Sequence, residues 1–563
     1  MSLSTAVQNS LFKPKNGGVT TSTTTTVIKH RFISFLIWQS ILSTVSLLLV
    51  KTLLLYPFRS KNSPSILHSL FSFLAFHVSL LLFSTSLFII SSPHRQKPGS
   101  PLDLLLTSVR LIFVHTDNPS LSPEARQAVK FSLSFALFLV VSALSGFVAL
   151  ISICWSSGAF HQTMPWRVVV AMLGFRGFLI GLPYGVYYLY KQRWVLQFPI
   201  VQRPLFFSFK MGLPSAFGQA LKLSTAAYFF SSVVLFFLPD EYGSNFSIGK
   251  YIAQQIIFYI GTFLVFLCWE LSHHLHQILH TKRFIFAPPK GSAAAETNPS
   301  EYLLAALEES TPKSLLQYLA YLDLCMVCER NVDTWRRAAF FEETGETYRR
   351  VISVCLRPLE QLALNLGAGL ESSLGEKSAY LSDQLRSPTD RLGDSRLHES
   401  FNDFQLCAWC ARIVASLTAS SRKEDRFGVA QLSGNNTAVI STLLSALLVV
   451  ETFMGKKTNI QSSHHLMGAA GIKWAQMGTA SRDSAVGLSE KRRGSPIYMK
   501  AYAMADILRT SIYFIVSAFH DEMLDSAKAG HLEKDWISSS KVLYGTRELL
   551  SQKLRLFLDF RAC

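Results

Sequence analysis

Six long apolar runs, at residues 32–50, 66–90, 131–153, 168–190, 217–238 and 253–271, follow one another through the first half of the chain. Short basic segments separate them. Most of the runs reach the roughly 20 residues that an α-helix needs to cross a hydrocarbon layer about 30 Å thick. A chain of this kind has few ways to fold in its first half, and the runs predict a bundle of six transmembrane helices.

The formal charge of +17 is unevenly placed. Up to Lys290 there are 23 Lys and Arg against 6 Asp and Glu, and beyond it 31 against 31, so the basic excess belongs to the membrane half. A nucleic-acid reading of the high pI loses its main support. Basic residues beside spans report orientation instead, because loops rich in Lys and Arg stay on the cytosolic side. A cytosolic N-terminus places Lys29, Arg31, Arg95, Lys130, Lys191, Arg193, Lys210 and Lys282 in the cytosol. The lumen keeps only Lys51, Arg59, Lys61, Arg167 and Lys250. An even number of spans returns both termini to the cytosolic side.

The expected fold class is all-α. A disordered polar tail at 1–30 precedes a six-span transmembrane domain at 31–272, a juxtamembrane helix and linker at 273–298, and an α-helical soluble domain at 299–563. Mobile inserts are expected near 367–400 and 455–496. No cleavable signal peptide is visible, so the first span serves as the insertion signal. In the soluble part, periodicity and caps predict helices at 315–328, 347–366, 401–420, 437–453, 498–523 and 536–560, with Thr311 and Pro312 opening the first of these. The 437–453 run is short and dotted with Ser and Thr, and reads as a core helix rather than a seventh span.

The fourth run is the most informative. Gly177, Gly181 and Gly185 recur every four residues, which lets a second backbone approach one face of the helix. Arg176 lies beside that face, roughly 12 Å in from the luminal end at 1.5 Å per residue. It has two readings, a substrate or ion path in a transporter or channel, and an interhelical anchor. A carrier shows several polar groups within its spans, whereas Arg176 is nearly alone, which favours the anchor. Glu270 is the obvious acidic candidate, but its depth differs from that of Arg176 by more than about 10 Å.

Two other constellations invite metal chemistry. Glu270, His273, His274, His276 and His280 lie at and just beyond the end of the sixth run, and their helical spacing is similar to iron sites of membrane oxidases. The other histidines are scattered, so the segment reads as interfacial. Cys325–Cys328 and Cys407–Cys410 have CxxC spacing, which suits a four-thiolate zinc site. Both pairs sit inside helical patterns, and buried core cysteine is the favoured reading. The eight cysteines form no secreted disulfide framework. No phosphate-cradling loop, nucleophile elbow or HExxH is present, so no cofactor, metal or catalytic residue is expected. Asn245 is a glycosylation acceptor in the last luminal loop, Ser387–Pro388 fits a proline-directed phosphate, and Lys491, Arg492 and Arg493 form a basic loop.

Several stretches carry a resemblance. They are LQFPIVQ at 196–202, LLQYLAYLDLCMVCE at 315–329, WRRAAFF at 335–341, DRFGVAQ at 425–431 and SQKLRLFLDF at 551–560. In this order behind six spans the chain resembles the transmembrane nucleoporins of the nuclear-division-cycle family, and the stretch around Trp335 resembles its plant-type members. The family-like positions are Leu322, Asp323, Trp335, Arg336, Phe427, Gly428, Gln431, Leu556, Phe557 and Phe560. Arg176 and the glycine row map onto no family motif. The resemblance implies a membrane-ring component of the nuclear pore complex, in the pore membrane of the nuclear envelope, that anchors the pore scaffold and supports pore assembly without catalysis. Its implied partners are the lipid bilayer and other nucleoporins of the membrane ring and inner scaffold, with no direct nucleic acid and no small-molecule substrate.

Overall fold

The computed structural model describes residues 19–54, 66–94, 123–156, 166–199, 202–236, 248–288, 291–293, 298–308, 310, 313–330, 334–379, 399–455, 496–538 and 542–562. Every regular element among them is helical, with one isolated bridge between Ser92 and Val195. Residues Gly17–Lys282 form one compact unit and Arg283–Cys563 the main body of another. Asn245, Thr311, Pro312, Ser387, Pro388 and the basic loop at 491–493 lie outside the described residues.

Six long helices build the N-terminal unit: α1 (Val19–Leu49, continuing as a π turn Val50–Leu54), α2 (Ile66–Ile90), α3 (Pro123–Ser156), α4 (Trp166–Tyr190), α5 (Leu205–Phe236) and α6 (Ile248–Thr281). Helix α3 packs along both α2 and α4, while α6 packs along α5 and α1. Aromatic rings fill the centre, where Trp269 stacks on Phe83 at 5.0 Å and meets Tyr184 at 4.7 Å. The outward faces carry Leu53, Leu67, Phe71, Val140, Phe206 and Phe229, all exposed. Apolar surface on this scale is stable in lipid and a liability in water.

Among the described residues, six helices are long and apolar enough to cross a membrane by length and composition. Five are α1, α2, α3, α4 and α6, and the sixth is the C-terminal segment Asn435–Phe453. The set therefore differs from the sequence expectation by one exchange. Helix α5, expected as a span over 217–238, carries Lys210, Gln219 and Lys222 along its first 18 residues and is not among the six. Asn435–Phe453 has 72% of its window buried inside the protein, against 33% to 56% for the other five. That burial is the environment of a core helix.

The C-terminal unit holds α7 (Glu301–Glu308), α8 (Leu315–Glu329), α9 (Thr334–Ala338), α10 (Glu346–Ala379), α11 (Phe404–Glu424), α12 (Val429–Leu432), α13 (Asn435–Phe453), α14 (Pro496–Ala518), α15 (His520–Lys528), α16 (Leu532–Trp536) and α17 (Arg547–Ala562). Ser314 caps α8 by accepting from Gln317 N at 3.3 Å, rather than the expected Thr311. Around α13 stand α10, α14, α16 and α17, which bury Leu443, Leu447 and Val450 completely.

Four expectations are corrected. The tail expected at 1–30 gives way to helix from Val19, because adding turns to an established helix costs little per residue. The juxtamembrane helix expected at the start of 273–298 is continuous with the last span, as the end of α6, and stops at Thr281. Helix α10 continues into the expected insert, to Ala379. The helix expected over 536–560 starts only at Arg547. Gly530 (φ 77°) and Gly545 (φ 83°) take the left-handed conformation there, and a Cβ on Gly545 would lie 2.5 Å from Leu448 Cδ2. The chain turns tightly against α13 instead of extending a helix.

Glu451 holds the end of this bundle. It is 5% exposed and accepts from Arg509 Nη2 and Lys553 Nζ, each at 2.7 Å, which ties α14 and α17 to α13. Replacing Glu451 with Gln should destabilise the C-terminal unit by about 1.5–3 kcal/mol, the range for hydrogen bonds to charged groups. Asp506→Asn, at the exposed partner of Arg509, should stay within about 0.5 kcal/mol. Limited proteolysis of the detergent-solubilised chain across a temperature ramp measures both.

Candidate functional site

The glycine row lies where α3 and α4 come closest. A Cβ built on Gly177 would stand 2.4 Å from Gly146 O, and one on Gly181 would stand 2.4 Å from Ser142 O. Both neighbours are backbone and cannot swing aside. At Gly185 the approach opens, with Leu139 Cδ2 at 3.0 Å. The partner face was not singled out from sequence, although its spacing was readable: Ser142 and Gly146 are four residues apart on α3. Ser142 Oγ donates to Gly181 O at 2.7 Å, and Ser145 Oγ donates to Ser79 O of α2 at 3.0 Å. Small residues admit the backbones, and hydroxyls then bond across the gap.

Arg176 is buried beside this seam and reaches α6, not a carboxylate. Its Nη1 donates to Gln255 Oε1 at 3.3 Å, and its Cζ stands 4.3 Å from the centre of the Phe258 ring. A charge at the centre of a span costs about 2.5–3.5 kcal/mol on insertion scales, which neutral contacts offset only in part.

Glu270 pairs elsewhere. Arg193, three residues past α4, donates to Glu270 Oε1 at 2.7 Å and Oε2 at 2.6 Å, and the Tyr184 hydroxyl adds a bond at 3.2 Å. Burial works against the Arg193 charge, but the hydrogen bonds to Glu270 outweigh it and hold the guanidinium above its ordinary pKa. Gln277 of α6 donates to Val195 O at 3.2 Å and accepts from Gln197 N at 3.1 Å. The other side of the same loop pairs with Ser92, which accepts from Leu196 N at 2.9 Å. The start of the LQFPIVQ stretch is thus held between the ends of α2 and α6. Sequence reading missed Arg193 because 77 residues separate it from Glu270.

The histidine segment, expected at the interface, is largely buried. His276 and His280 are 1% and 0% exposed, with ring centres 4.1 Å apart, and both meet the Phe35 ring of α1. The first span lies along the end of α6 there, where Arg31 donates to Leu279 O, His280 O and Lys282 O at 3.1, 2.7 and 2.6 Å. His273 Nδ1 pairs with the Tyr188 hydroxyl at 3.0 Å, on another face. Among the described residues no three His, Cys, Asp or Glu side chains are placed to hold a metal ion.

In the C-terminal unit, both CxxC pairs lie in core helices α8 and α11. Burial pushes the Cys325, Cys328 and Cys410 thiols well up and that of Cys407 up to about 12. Buried in helical core, these thiols pack as small apolar side chains. Cys407 lies on the wall of a cleft of about 830 Å³ between α7, α8, α10 and α11, where Lys313 and Asp403 pair at 3.2 Å.

The family-like positions separate by burial. Leu322 is in the core, and Asp323, fully buried, accepts from Arg336 Nη2 at 2.8 Å, Arg283 Nε at 2.7 Å and Phe286 N at 2.9 Å. Arg336 Nη2 also donates to Phe286 O at 3.1 Å. One carboxylate therefore fixes Arg283 and Phe286 to α8 and α9. Trp335 is part-exposed, and Phe427 and Gln431 are exposed. Gly428, at φ 68°, supplies the left-handed turn before α12. On α17, Leu550, Leu554 and Leu558 enter the core, Leu556 and Phe557 are half-buried, and Phe560 is exposed with its ring 6.1 Å from Tyr513.

Three substitutions test these arrangements in the detergent-solubilised chain. Gly181→Ala should cost about 1–3 kcal/mol, because its methyl meets backbone, while Gly218→Ala, which meets nothing within 4 Å, should be neutral. Asp323→Ala should cost about 3–5 kcal/mol by leaving Arg336 buried and unpaired. Thermal unfolding midpoints measure the first pair, and protease resistance of the C-terminal unit measures the second.

A family model described as nucleoporin protein Ndc1-Nup matches residues 26–402. It ends before the stretches at 425–431 and 551–560. No individually curated protein matches the chain. The match covers more than half of the sequence, including α2 to α6, most of α1 and the Asp323 cluster, and the chain therefore belongs to the Ndc1-Nup family of nucleoporins, structural components of the nuclear pore.

Proposed function

We propose that this nucleoporin anchors the pore scaffold in the nuclear envelope and supports pore assembly, without a catalytic step. The observation that carries the reading is the contrast between its two units. The N-terminal helices present continuous apolar faces outward, as at Leu67, Phe71 and Phe206. The C-terminal unit instead buries its apolar side chains and is electrically balanced, with 31 basic against 31 acidic residues beyond Lys290. A surface of that kind suits contacts with other nucleoporins of the membrane ring and inner scaffold.

In this reading α5 is the sixth crossing and α13 stays out of the bilayer, so both termini lie on the cytosolic, pore-facing side. The lysines beside the spans, among them Lys29, Lys191 and Lys282, then meet anionic headgroups at about 1 kcal/mol each. Only Lys282 separates the end of α6 at Thr281 from Arg283, which already bonds Asp323.

A fluorescently tagged full-length chain should give a punctate nuclear rim that coincides with pores. A reticular signal without rim enrichment contradicts anchoring. Deleting the C-terminal unit from Arg283 should leave the protein in membranes but disperse the puncta.

A further inference from the structure

Among the described residues, no carboxylate bonds Arg176. The acid within the described spans, Glu270, already has both oxygens bonded by Arg193. The cradle around Arg176 is neutral: Gln255 Oε1 accepts from its Nη1 at 3.3 Å and also from the Tyr228 hydroxyl at 3.4 Å, and the Phe258 ring covers one face. Arg176 Nε is buried with no hydrogen-bond partner among the described residues, and the residue is 7% exposed. A guanidinium does not shed its proton in proteins, unlike a buried lysine or histidine. Its fork of donors matches two oxygens of a tetrahedral oxyanion.

Position narrows the source. Arg176 is ten residues from Trp166, about 15 Å along α4, and Gln255 is seven residues from Ile248, about 10 Å along α6. A long arginine side chain can rise toward the headgroup layer, and lipid headgroups are drawn inward around such a charge. From these observations we infer that Arg176, with Gln255 and Tyr228, forms a binding site for a phosphate-type oxyanion in the seam of α4, α5 and α6. The headgroup of an anionic phospholipid, from the leaflet at the N-terminal end of α4, is the source nearest to hand. This site is independent of the anchoring role.

The test uses the full-length chain, purified in non-ionic detergent and stripped of lipid. It is titrated in separate arms with dioctanoyl phosphatidic acid, dioctanoylglycerol and inorganic phosphate, with binding read by native mass spectrometry and by the unfolding midpoint. One phosphatidic acid should bind per chain and raise the midpoint, and dioctanoylglycerol should do neither. Arg176→Gln should weaken phosphatidic acid at least tenfold, and Arg176→Lys should retain part of the affinity. Saturation by inorganic phosphate with the same Arg176 dependence supports the oxyanion site and identifies a free ion as its ligand. Equal binding of dioctanoylglycerol and phosphatidic acid, or no binding to the wild-type chain, overturns the inference. Should Arg176→Gln fail to fold, Tyr228→Phe removes only the hydroxyl that steadies Gln255. A several-fold loss of phosphatidic acid affinity in that variant supports the site, and an unchanged affinity overturns it.

Discussion

A charge that leaves water must be met by an opposite charge or by a set of hydrogen bonds, and this constraint recurs throughout the protein. Glu270 is met by Arg193 and Tyr184 near the end of the helical bundle. Asp323 is met by Arg283 and Arg336 at the opening of the C-terminal unit, and Glu451 by Arg509 and Lys553 at the end of α13. Each cluster joins segments far apart in sequence. Apolar burial is non-directional, so these pairings select which helix ends meet.

The spans were legible because length and apolarity are local properties. So was the glycine row on α4, since a four-residue period is visible without a partner. The opposing Gly146 and the bond from Ser142 needed three dimensions, as did the pairing of Glu270 with Arg193. Depth along a helix correctly set Glu270 apart from Arg176 but gave no means to find residue 193 in a loop. The histidines misled for a related reason. Their polarity suggests an interface, yet α1 lays Phe35 against His276 and His280, a pairing between helices far apart in sequence. Helix ends failed where glycine chemistry decides them, at Gly530 and Gly545.

Composition alone does not separate a span from a core helix, and α5 and α13 make the point together. Helix α13 is apolar enough to cross a membrane, but its neighbours bury it and Glu451 near its end is bonded by two cations. Helix α5 carries two lysines and a proline, yet displays Phe206, Phe207, Phe229 and Phe230 on its outside. The environment of the side chains distinguishes the two helices where a hydropathy window does not. The same distinction underlies the division between a unit that wears its apolar residues outward and one that encloses them.

Protease digestion of sealed nuclear-envelope vesicles, with their cytosolic face outward, tests that division most directly. Anchoring with a pore-facing handle predicts that the chain is cut throughout the unit beyond Arg283 while α1 to α6 persist as membrane-protected fragments. Full protection of the C-terminal unit until detergent is added would place it in the lumen and contradict its role as the handle for the scaffold.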